Sequence, residues 1–271
     1  MSANLNHPAG VVYCSSGGTV PERTRIEDGT IREPRVLVVM PAYNEAESIA
    51  TVLAEIRDSL PGIDVLVVDD GSVDETAAIA RRFAVKVAQH PFNMGVGGAM
   101  RTGFRYAASH GYDIVVQIDA DGQHIAEQAL VLVAATSEAD IVIGSRFASG
   151  VDYELHPVRG AAMRLVAHLM SRVVGGTLTD STSGFRSFSR PAIDLFAHHY
   201  PIEYLGDTVE SLVLARRSGL RVAEVGVAMR QRVGGRPSQN TVSSIGYAGR
   251  AVATVFLGMV RARPVVGGAL R

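Results

Sequence analysis

Short apolar runs rich in valine and isoleucine alternate with segments of helical spacing, and this alternation constrains the fold more than any other feature of the chain. The predicted strands are 35–40, 63–70, 85–90, 112–121, 140–146 and 221–232. The predicted helices are 45–60, 74–83, 97–111, 125–137, 158–174 and 209–217. Such an order favours an α/β fold with a mostly parallel sheet and helices on both faces.

Composition excludes several classes of protein. At 271 residues, with 47% hydrophobic and 20% charged residues, the chain is typical of a soluble globular protein with one domain or at most two. A net charge of -1 gives no reason to expect nucleic acid as a partner, because such proteins usually carry a clear basic excess. Cys14 is the only cysteine, so an intrachain disulfide is excluded and a reducing compartment is expected.

Three parts are expected along the chain. Residues 1–34 are rich in small and polar residues, lack the pattern of a secretion signal, and are predicted to form a flexible N-terminal tail. Residues 35–240 contain no internal repeat and no long linker, which predicts a single domain. Residues 241–271 are predicted to form a C-terminal amphipathic helix and tail.

Polar residues follow four of the predicted strands. They are "PAYNE" at 41–45, "DDGS" at 69–72, "DADGQH" at 119–124 and "GSRF" at 144–147. One polar strand end is ordinarily a turn or a helix cap. In an open α/β sheet, however, ligands bind beyond the carboxyl ends of the strands, so four such ends predict a shared ligand-binding crevice.

Two carboxylates stand one residue apart in "DADGQH". Asp119 and Asp121 would repel each other unless a cation lay between them. Hard oxygen ligands of this kind suit Mg²⁺ or Mn²⁺, which keep bound water and bridge to substrate phosphates. Gln123 and His124 are close enough to add a ligand or a supporting contact, and a structural role is the alternative for His124.

These four motifs, in this order and spacing, resemble family 2 glycosyltransferases with a Rossmann-like GT-A fold, and within them the polyprenyl-phosphate (dolichol-phosphate-type) sugar transferases. The resemblance covers about Val36 to Pro237. It implies that Asp119, Asp121 and Gln123 hold the metal on the diphosphate of a nucleotide sugar. It also implies that the donor is bound by the following set: Pro41, Tyr43, Glu45, Val68, Asp70, Asp119, Ala120 and Arg232.

The resemblance also implies an acceptor site that binds phosphate. Arginines at the positions of Arg146 and Arg159 hold the acceptor phosphate in this subgroup, and guanidinium groups match phosphate oxygens well. Ordinary surface ion pairs are the alternative for both. "DSTSGFRSF" resembles the segment that places Asp180 and Ser183 towards the reaction centre. The resemblance assigns Ser183 to the acceptor phosphate, and we predict a catalytic set of Asp121, Arg146 and Asp180.

One further segment departs from the family pattern, and a second segment contains a residue whose role the resemblance leaves open. "NMGVGGAM" resembles the family's glycine-rich loop beside the donor, but Val96 replaces the usual lysine. Arg101 compensates for that lost charge or is a solvated arginine, and tight backbone packing is the alternative role for the glycines. Glu210 matches a glutamate of the family's last core helix, with either a catalytic or a structural role.

A phosphate acceptor fits a simple mechanism. A phosphate monoester has a second pKa near ~6 and is already an anion, so no general base is obligatory. The resemblance implies a single displacement with inversion at the sugar carbon. Alternatives are the same fold acting on a soluble acceptor, and a non-catalytic nucleotide-sugar-binding subunit. A nicotinamide oxidoreductase would need G-x-G-x-x-G after the first strand, where this chain has "PAYNE".

Residues 243–263 bear on where the protein acts. Apolar residues recur there at helical spacing, but Arg250 interrupts them, and the unbroken run 251–260 is half a bilayer span. An amphipathic helix of this kind lies on an anionic membrane or docks on a small membrane protein, or else it closes the core of the domain. We predict a cytoplasmic protein that is peripherally associated with the membrane.

Overall fold

The computed structural model describes residues 12–13, 26–27, 30–31, 33–147, 157–202 and 207–230. The strands in these ranges are β1 (Val12–Tyr13), β2 (Ile26–Glu27), β3 (Thr30–Ile31), β4 (Val36–Ala42), β5 (Asp64–Asp69), β6 (Lys86–Gln89), β7 (Ile114–Gln117), β8 (Ile141–Ser145), β9 (Arg186–Ser189) and β10 (Val222–Gly226). The helices are α1 (Ile49–Ser59), α2 (Thr76–Ala80), α3 (Gly95–Ser109), α4 (Ala129–Ala135), α5 (Pro157–Val174), α6 (Arg190–His199) and α7 (Asp207–Arg217), and a short 3-10 helix covers Ala126–Gln128.

One sheet contains eight of these strands, in the order β1-β10-β8-β9-β7-β4-β5-β6. β6, β5, β4 and β7 are parallel neighbours, and β10 is parallel to β8. β9 lies between β7 and β8 and is antiparallel to both, so β7 and β8 point the same way. The predicted α/β fold with a mostly parallel sheet is therefore confirmed.

The antiparallel strand β9 and the helix α6 that follows it were not among the predicted elements. All four residues of β9 are buried, yet three of them are polar: Arg186, Ser187 and Ser189. The apolar run that identifies the other strands is therefore missing. Because β9 is antiparallel, it begins at the edge of the sheet where β4, β5, β7 and β8 end, which we call the carboxyl edge.

Apolar side chains alternate between the two faces of the sheet. In β4, Leu37 and Val39 pack on the face covered by α3, α5, α6 and α7, whereas Val38 and Met40 pack on the face covered by α1, α2 and α4. Each of these side chains is fully buried. This period of two places helices on both faces, as predicted, and leaves the carboxyl edge to the loops.

Several predicted elements are shorter in the structure, among them the last strand and the helix after β7. The strand predicted over 221–232 ends at Gly226, because its partner β8 ends at Ser145, directly opposite. Beyond it, Met229 forms an isolated bridge with His124 instead. The helix predicted over 125–137 begins as the 3-10 turn and ends at Ala135, since helix termini often tighten in this way.

The N-terminal segment contributes short strands. β1 pairs antiparallel with β10, with Val12 opposite Glu224, and β2 pairs with β3 in a separate two-stranded sheet. The division into a tail (1–34), a domain (35–240) and a C-terminal helix (241–271) stays a prediction, and the last of these parts lies outside the described residues. Among the helices that the structure describes, none has both the length and the apolar character needed to cross a bilayer.

Candidate active site

The two carboxylates predicted to bind metal follow β7 at the carboxyl edge. The Asp119 side chain is 34% exposed, whereas Asp121 is buried. Asp119 Oδ1 accepts a hydrogen bond from Gln117 Nε2 at 2.9 Å, and Asp121 Oδ1 accepts one from the Gln123 amide at 2.9 Å. Gly122, with a φ of 77°, makes the tight turn that returns Gln123 to Asp121. Asp119 thus faces the crevice while Asp121 is fixed by its own loop.

His124 supports this loop. Its Nδ1 accepts a hydrogen bond from the Asp119 amide at 3.0 Å, and its ring stacks on Phe185 at a centroid distance of 4.6 Å. Because Nδ1 accepts, the hydrogen of a neutral ring is on Nε2, which lies 3.8 Å from Asp119 Oδ2. Of the three roles left open for His124, these contacts fit a supporting contact, and a role as metal ligand stays a prediction.

The chemistry of this acid pair fits a divalent cation. Asp119 and Asp121 offer hard oxygen ligands, and no group of three or more His, Cys, Asp or Glu with metal-binding geometry occurs in the described part of the chain. A metal bound by this pair would also bind water and a substrate. That is the coordination Mg²⁺ prefers. The Gln123 amide lies beside Asp121, while a ligand role for the Gln123 side chain stays a prediction.

Gly184 packs directly against the acid pair. A Cβ atom placed on it would lie 3.1 Å from Asp119 Oδ2 and 3.0 Å from Gln117 Nε2. The segment "SGF" therefore needs glycine so that its backbone can approach Asp119. Sequence reasoning selected the serine of this segment and overlooked the glycine, whose place just before a strand was the available signal.

The chain beyond β10 closes over the same loop. The Arg230 amide donates to the Gln123 carbonyl at 3.1 Å, and Arg230 Nε donates to the Gly122 carbonyl at 2.8 Å. Arg230 also forms an ion pair with Glu55 of α1. Glu55 in turn accepts a hydrogen bond from the Ala126 amide at 2.9 Å. Sequence reasoning missed both charged residues, which hold the turn after the acid pair.

The turns after β4 and β5 are joined to each other. The Asn44 amide donates to Ser72 Oγ at 2.9 Å, and Asn44 Oδ1 accepts from the Val73 amide at 2.9 Å. Asn44 has a φ of 54°, a left-handed conformation that asparagine tolerates better than most residues. Of the residues predicted to bind the donor here, Pro41 is buried at the end of β4 and Tyr43 is exposed.

Asp74 also ties these two turns together. It accepts hydrogen bonds from the Ala46 amide at 3.1 Å and from the Thr76 amide at 2.9 Å. Burial by itself raises the pKa of Asp74, but the hydrogen bonds from Thr76 and Ala46 outweigh that effect and hold the pKa below its usual value. Glu45 lies at the same junction, where its amide donates to Thr76 Oγ1 at 2.8 Å.

Asp70 is buried and holds the start of α3 through hydrogen bonds. It accepts hydrogen bonds from the amides of Met94 at 2.9 Å and Gly95 at 2.7 Å, and it lies 2.7 Å from His90 Nδ1. A carboxylate has about four acceptor sites, so these three contacts leave Asp70 able to take a donor group. Val68 and Ala120, also predicted to bind the donor, are buried in the core, which restricts them to main-chain contacts.

The glycine-rich segment packs closely at the start of α3. A Cβ on Gly97 would lie 2.4 Å from the Pro201 carbonyl, so tight backbone packing accounts for this glycine. Val96, which replaces the family lysine, is 48% exposed. Arg101 donates to the His198 carbonyl at 2.7 Å near the end of α6. Arg101 is therefore held by α6 rather than directed freely into solvent.

Arg146 and Asp180, both predicted as catalytic, form a two-pronged ion pair. Arg146 Nε donates to Asp180 Oδ2 at 2.7 Å, and its Nη2 atom donates to Oδ1 at 3.0 Å. The Asp180 side chain is fully buried and that of Arg146 is 17% exposed. Since paired geometry of this kind fixes a guanidinium plane, Arg146 is held in one orientation at the end of β8.

A buried glutamate on β10 holds the backbone next to this pair. Glu224 accepts hydrogen bonds from the amides of Thr179 and Asp180, at 2.8 Å and 2.9 Å, and from Thr179 Oγ1 at 2.6 Å. Thr179 Oγ1 also lies 2.7 Å from Ser145 Oγ, at the end of β8. Sequence reasoning missed Glu224, although an acid inside the apolar run "RVAEVGV" was a visible signal.

Arg186 fixes the loop that contains Ser183. This fully buried arginine donates to the carbonyls of Ser181 at 2.6 Å, Ser183 at 2.8 Å and Thr208 at 3.0 Å. Ser183 is itself buried, and its Oγ accepts from the Phe185 amide at 3.2 Å. Ser183 directly precedes Gly184, which approaches Asp119, and its predicted contact with the acceptor stays a prediction.

The remaining predicted residues have less structural description. Arg159 lies in the first turn of α5, whose backbone is described there but whose side chains are not. Arg232 lies outside the described residues, two positions after Arg230. Glu210 lies in α7 and is partly buried.

Comparison with known proteins identifies relatives. Residues 37–196 match the family model described as "Glycosyl transferase family 2". Over 230 residues the chain is 37% identical to undecaprenyl-phosphate mannosyltransferase of Micrococcus luteus, a match covering 82% of this chain and 92% of that protein. Over 168 residues it is 34% identical to polyprenol monophosphomannose synthase of Mycolicibacterium smegmatis, covering 59% of this chain and 63% of that protein.

Solved structures show the same fold. Glucosyl-3-phosphoglycerate synthase from Mycobacterium tuberculosis, in complex with Mn²⁺, UDP and glucosyl-3-phosphoglycerate, matches with a TM-score of 0.63 and 24% identity over 88% of this chain and 83% of that one. Mannosyl-3-phosphoglycerate synthase from Rubrobacter xylanophilus matches with a TM-score of 0.66 and 21% identity over 88% and 79%. These matches confirm the predicted GT-A type of fold.

Proposed function

Because this chain belongs to glycosyl transferase family 2, we propose that it moves a sugar from a nucleotide-sugar donor to a polyprenyl phosphate at the cytoplasmic surface of a membrane. The observation that carries the proposal is the guanidinium of Arg146, fixed by Asp180 at the same sheet edge as Asp119 and Asp121. A cation held beside a pair of carboxylates suits a reaction between two anionic substrates.

The donor would bind across the ends of β4, β5 and β7. Asp119 and Asp121 would hold Mg²⁺ or Mn²⁺ on the diphosphate, and that ion would stabilise the charge of the departing nucleoside diphosphate. Tyr43, Glu45 and Asp70 would contact the nucleoside. The joined turns after β4 and β5 support this arrangement, because they fix these three residues relative to one another. Main-chain contacts from Pro41, Val68 and Ala120, and a phosphate contact from Arg232, complete the proposed set.

The acceptor phosphate would bind at Arg146, with Arg159 and Ser183 as further contacts. The two-pronged ion pair with Asp180 fixes the plane of the Arg146 guanidinium. A guanidinium held in a fixed plane matches the oxygens of a phosphate well. Asp180 therefore orients Arg146.

The reaction needs little proton transfer. The acceptor phosphate is already an anion, so one of its oxygens attacks the anomeric carbon of the sugar directly. A new C–O bond forms as the bond from that carbon to the nucleoside diphosphate breaks, and the diphosphate leaves with the electron pair. Attack opposite to the leaving group inverts the configuration. Because Asp180 is engaged with Arg146, we assign it to orientation and not to proton abstraction.

Exposed apolar side chains support a membrane location for this edge. Among the described residues, those with large exposed apolar side chains around the donor site are Tyr43, Val73, Phe92, Met94, Val96 and Ile202. The loops that bear them touch one another: a Cβ on Gly71 would lie 2.6 Å from the Phe92 backbone, and one on Gly97 would lie 3.1 Å from Ile202 Cα. An apolar rim beside the donor site, on the same sheet edge as the proposed lipid-phosphate site, fits contact with a bilayer or with a small membrane protein.

Turnover with defined substrates tests the proposal. The purified chain would be incubated with Mn²⁺ or Mg²⁺ and either GDP-mannose, UDP-glucose or UDP-N-acetylglucosamine, with polyprenyl phosphate in vesicles or with 3-phosphoglycerate. We expect sugar-labelled lipid phosphate with at least one donor. Transfer only to 3-phosphoglycerate would favour the soluble-acceptor alternative, and donor binding without any transfer would favour a binding subunit.

A further inference from the structure

We propose that Glu224 is a positioning residue for Arg146, acting through the Thr179–Asp180 backbone. This inference rests on the proposed function, since it concerns how the acceptor-binding guanidinium is kept in place. Glu224 lies on β10, and its described hydrogen bonds are to Thr179 and Asp180 rather than to Asp119 or Asp121. Its influence on the reaction would therefore be indirect, and specific to the acceptor side.

The contacts form a continuous chain from the core to the site. Both carboxylate oxygens of Glu224 accept from the Thr179 amide, at 3.0 Å and 2.8 Å, and one of them also accepts from the Asp180 amide at 2.9 Å. Asp180 then accepts two hydrogen bonds from Arg146. The direction of the Asp180 side chain is thus set by a backbone segment that one buried carboxylate holds.

The location of Glu224 makes this chain rigid. It is 1% exposed and lies on β10, in register with Ile143 of the neighbouring strand β8, which itself leads to Arg146. Two parallel strands of the core therefore hold the two halves of the ion pair: β8 leads into Arg146, and β10 holds Asp180 through Glu224. A buried carboxylate with this many donors is costly to disturb, because each lost partner leaves a desolvated group.

A double-mutant cycle tests the inference. Glu224→Gln keeps the shape of the side chain but turns one acceptor oxygen into an NH₂ group that faces backbone amides. Arg146→Lys keeps the charge but loses the two-pronged geometry. We expect each single variant to raise the KM for polyprenyl phosphate in vesicles roughly tenfold, with little change in donor affinity. The double variant should be no worse than Arg146→Lys alone, because both changes act on one contact.

Asp140 offers a matched control at the start of β8. It is buried like Glu224 and accepts from the Arg221 amide at 2.8 Å and from Ser189 Oγ at 2.9 Å, but it is remote from Arg146. Asp140→Asn should lower the melting temperature and leave the acceptor KM unchanged. If it raises that KM as much as Glu224→Gln does, Glu224 acts only through general stability and the inference is wrong.

The remaining outcomes separate this inference from the proposed function. An Arg146→Lys variant with unchanged acceptor KM would overturn the acceptor site itself, and the role of Glu224 with it. If Arg146→Lys raises the acceptor KM while Glu224→Gln does not, only the inference about Glu224 is overturned. The same holds if the double variant raises that KM by the product of the two single effects. Should Glu224→Gln fail to fold, Thr179→Val keeps the bond from the Thr179 amide to Glu224 but removes the 2.6 Å hydrogen bond from Thr179 Oγ1 to Glu224, together with the 2.7 Å contact to Ser145 Oγ. This variant must raise the acceptor KM for the inference to stand.

Discussion

Gly184 lies against Asp119 so closely that one added methyl group would sit 3.1 Å from the carboxylate oxygen Oδ2. Gly184→Ala should displace Asp119 and weaken metal-dependent donor binding by about 1 kcal/mol, or roughly fivefold, as overpacking typically does. Titration calorimetry with UDP or GDP in the presence of Mn²⁺ would measure this. Gly103→Ala is the control, because its Cβ would lie 2.4 Å from Val39 Cγ1 in the apolar core, so this change should lower stability without changing metal-dependent donor binding.

Asp121→Asn should abolish divalent-dependent donor binding and leave the protein folded. The variant keeps an oxygen that can accept from the Gln123 amide, while it loses a charged metal ligand. Thermal shift with nucleotide, with and without Mn²⁺, would show the loss as a missing metal-dependent stabilisation. Undiminished turnover of the variant in Mg²⁺ or Mn²⁺ would refute the metal assignment.

Arg146→Lys and Arg159→Ala should mainly impair use of the lipid phosphate. Each loses a charged hydrogen bond worth about 1.5–3 kcal/mol, which corresponds to at least a tenfold fall in kcat/KM for the acceptor. Lysine is preferable to alanine at Arg146, because loss of the cation beside buried Asp180 would cost about 3–5 kcal/mol of stability. Steady-state kinetics with varied acceptor would measure the effect, and loss of donor binding with intact acceptor kinetics would contradict it.

Phe92→Ser should reduce binding to anionic vesicles, because Phe92 is 65% exposed on the apolar rim beside the donor site. Leu165→Ser is the matched control, since Leu165 is 52% exposed on α5 and does not belong to that rim. Flotation of the full chain with vesicles at low salt would compare the two variants. Equal retention of both in the floating fraction would show that the rim does not face the bilayer.

Asp74→Asn should change how the free energy of unfolding depends on pH. The folded-state pKa of Asp74 lies below the ordinary value of about 3.9, so its charged form stabilises the fold above that pH, and the contribution disappears as the pH falls through the folded-state pKa. The difference in unfolding free energy between the natural chain and the variant should therefore be largest near pH 7 and shrink below about pH 4. Urea titrations at several pH values would measure it.

The exposed pair Arg57–Asp58 provides the control for that experiment. Hydrogen bonding to Arg57 also lowers the pKa of Asp58, but both side chains are well exposed, and solvent weakens such pairs. Asp58→Asn should therefore change stability little at any pH. A constant stability difference for Asp74→Asn from pH 7 down to pH 3 would contradict the assigned role.

Much of the fold was predictable because most of its parallel strands are rich in buried apolar residues. The run "IDVLVVDD" contains β5 in full, and the polar clusters after β4, β5, β7 and β8 do meet at one edge. β9 escaped prediction because its buried residues include an arginine and two serines, whose polar groups are satisfied by tertiary contacts. Such contacts join residues distant in the chain, and local periodicity does not report them.

In the site, residue types were easier to predict than their partners. The acid pair and Arg146 were recognisable from short motifs, yet nothing local indicated that Arg146 would bind Asp180, 34 positions later. Gly184, Glu224 and Arg230 were missed for a related reason. Their roles depend on which backbone they approach, and that is decided only when β9 and β10 take their places in the sheet.

The reversal of β9 has a consequence for how this protein could diversify. A strand that runs against its neighbours delivers its preceding loop, 179–185, to the edge already used by the loops of the parallel strands. Under the proposed function, donor and acceptor determinants would therefore come from segments that are far apart in the gene but adjacent in space. Changes within one short stretch of coding sequence would alter the acceptor contacts, while the donor side would be inherited unchanged as long as Gly184 is kept beside Asp119.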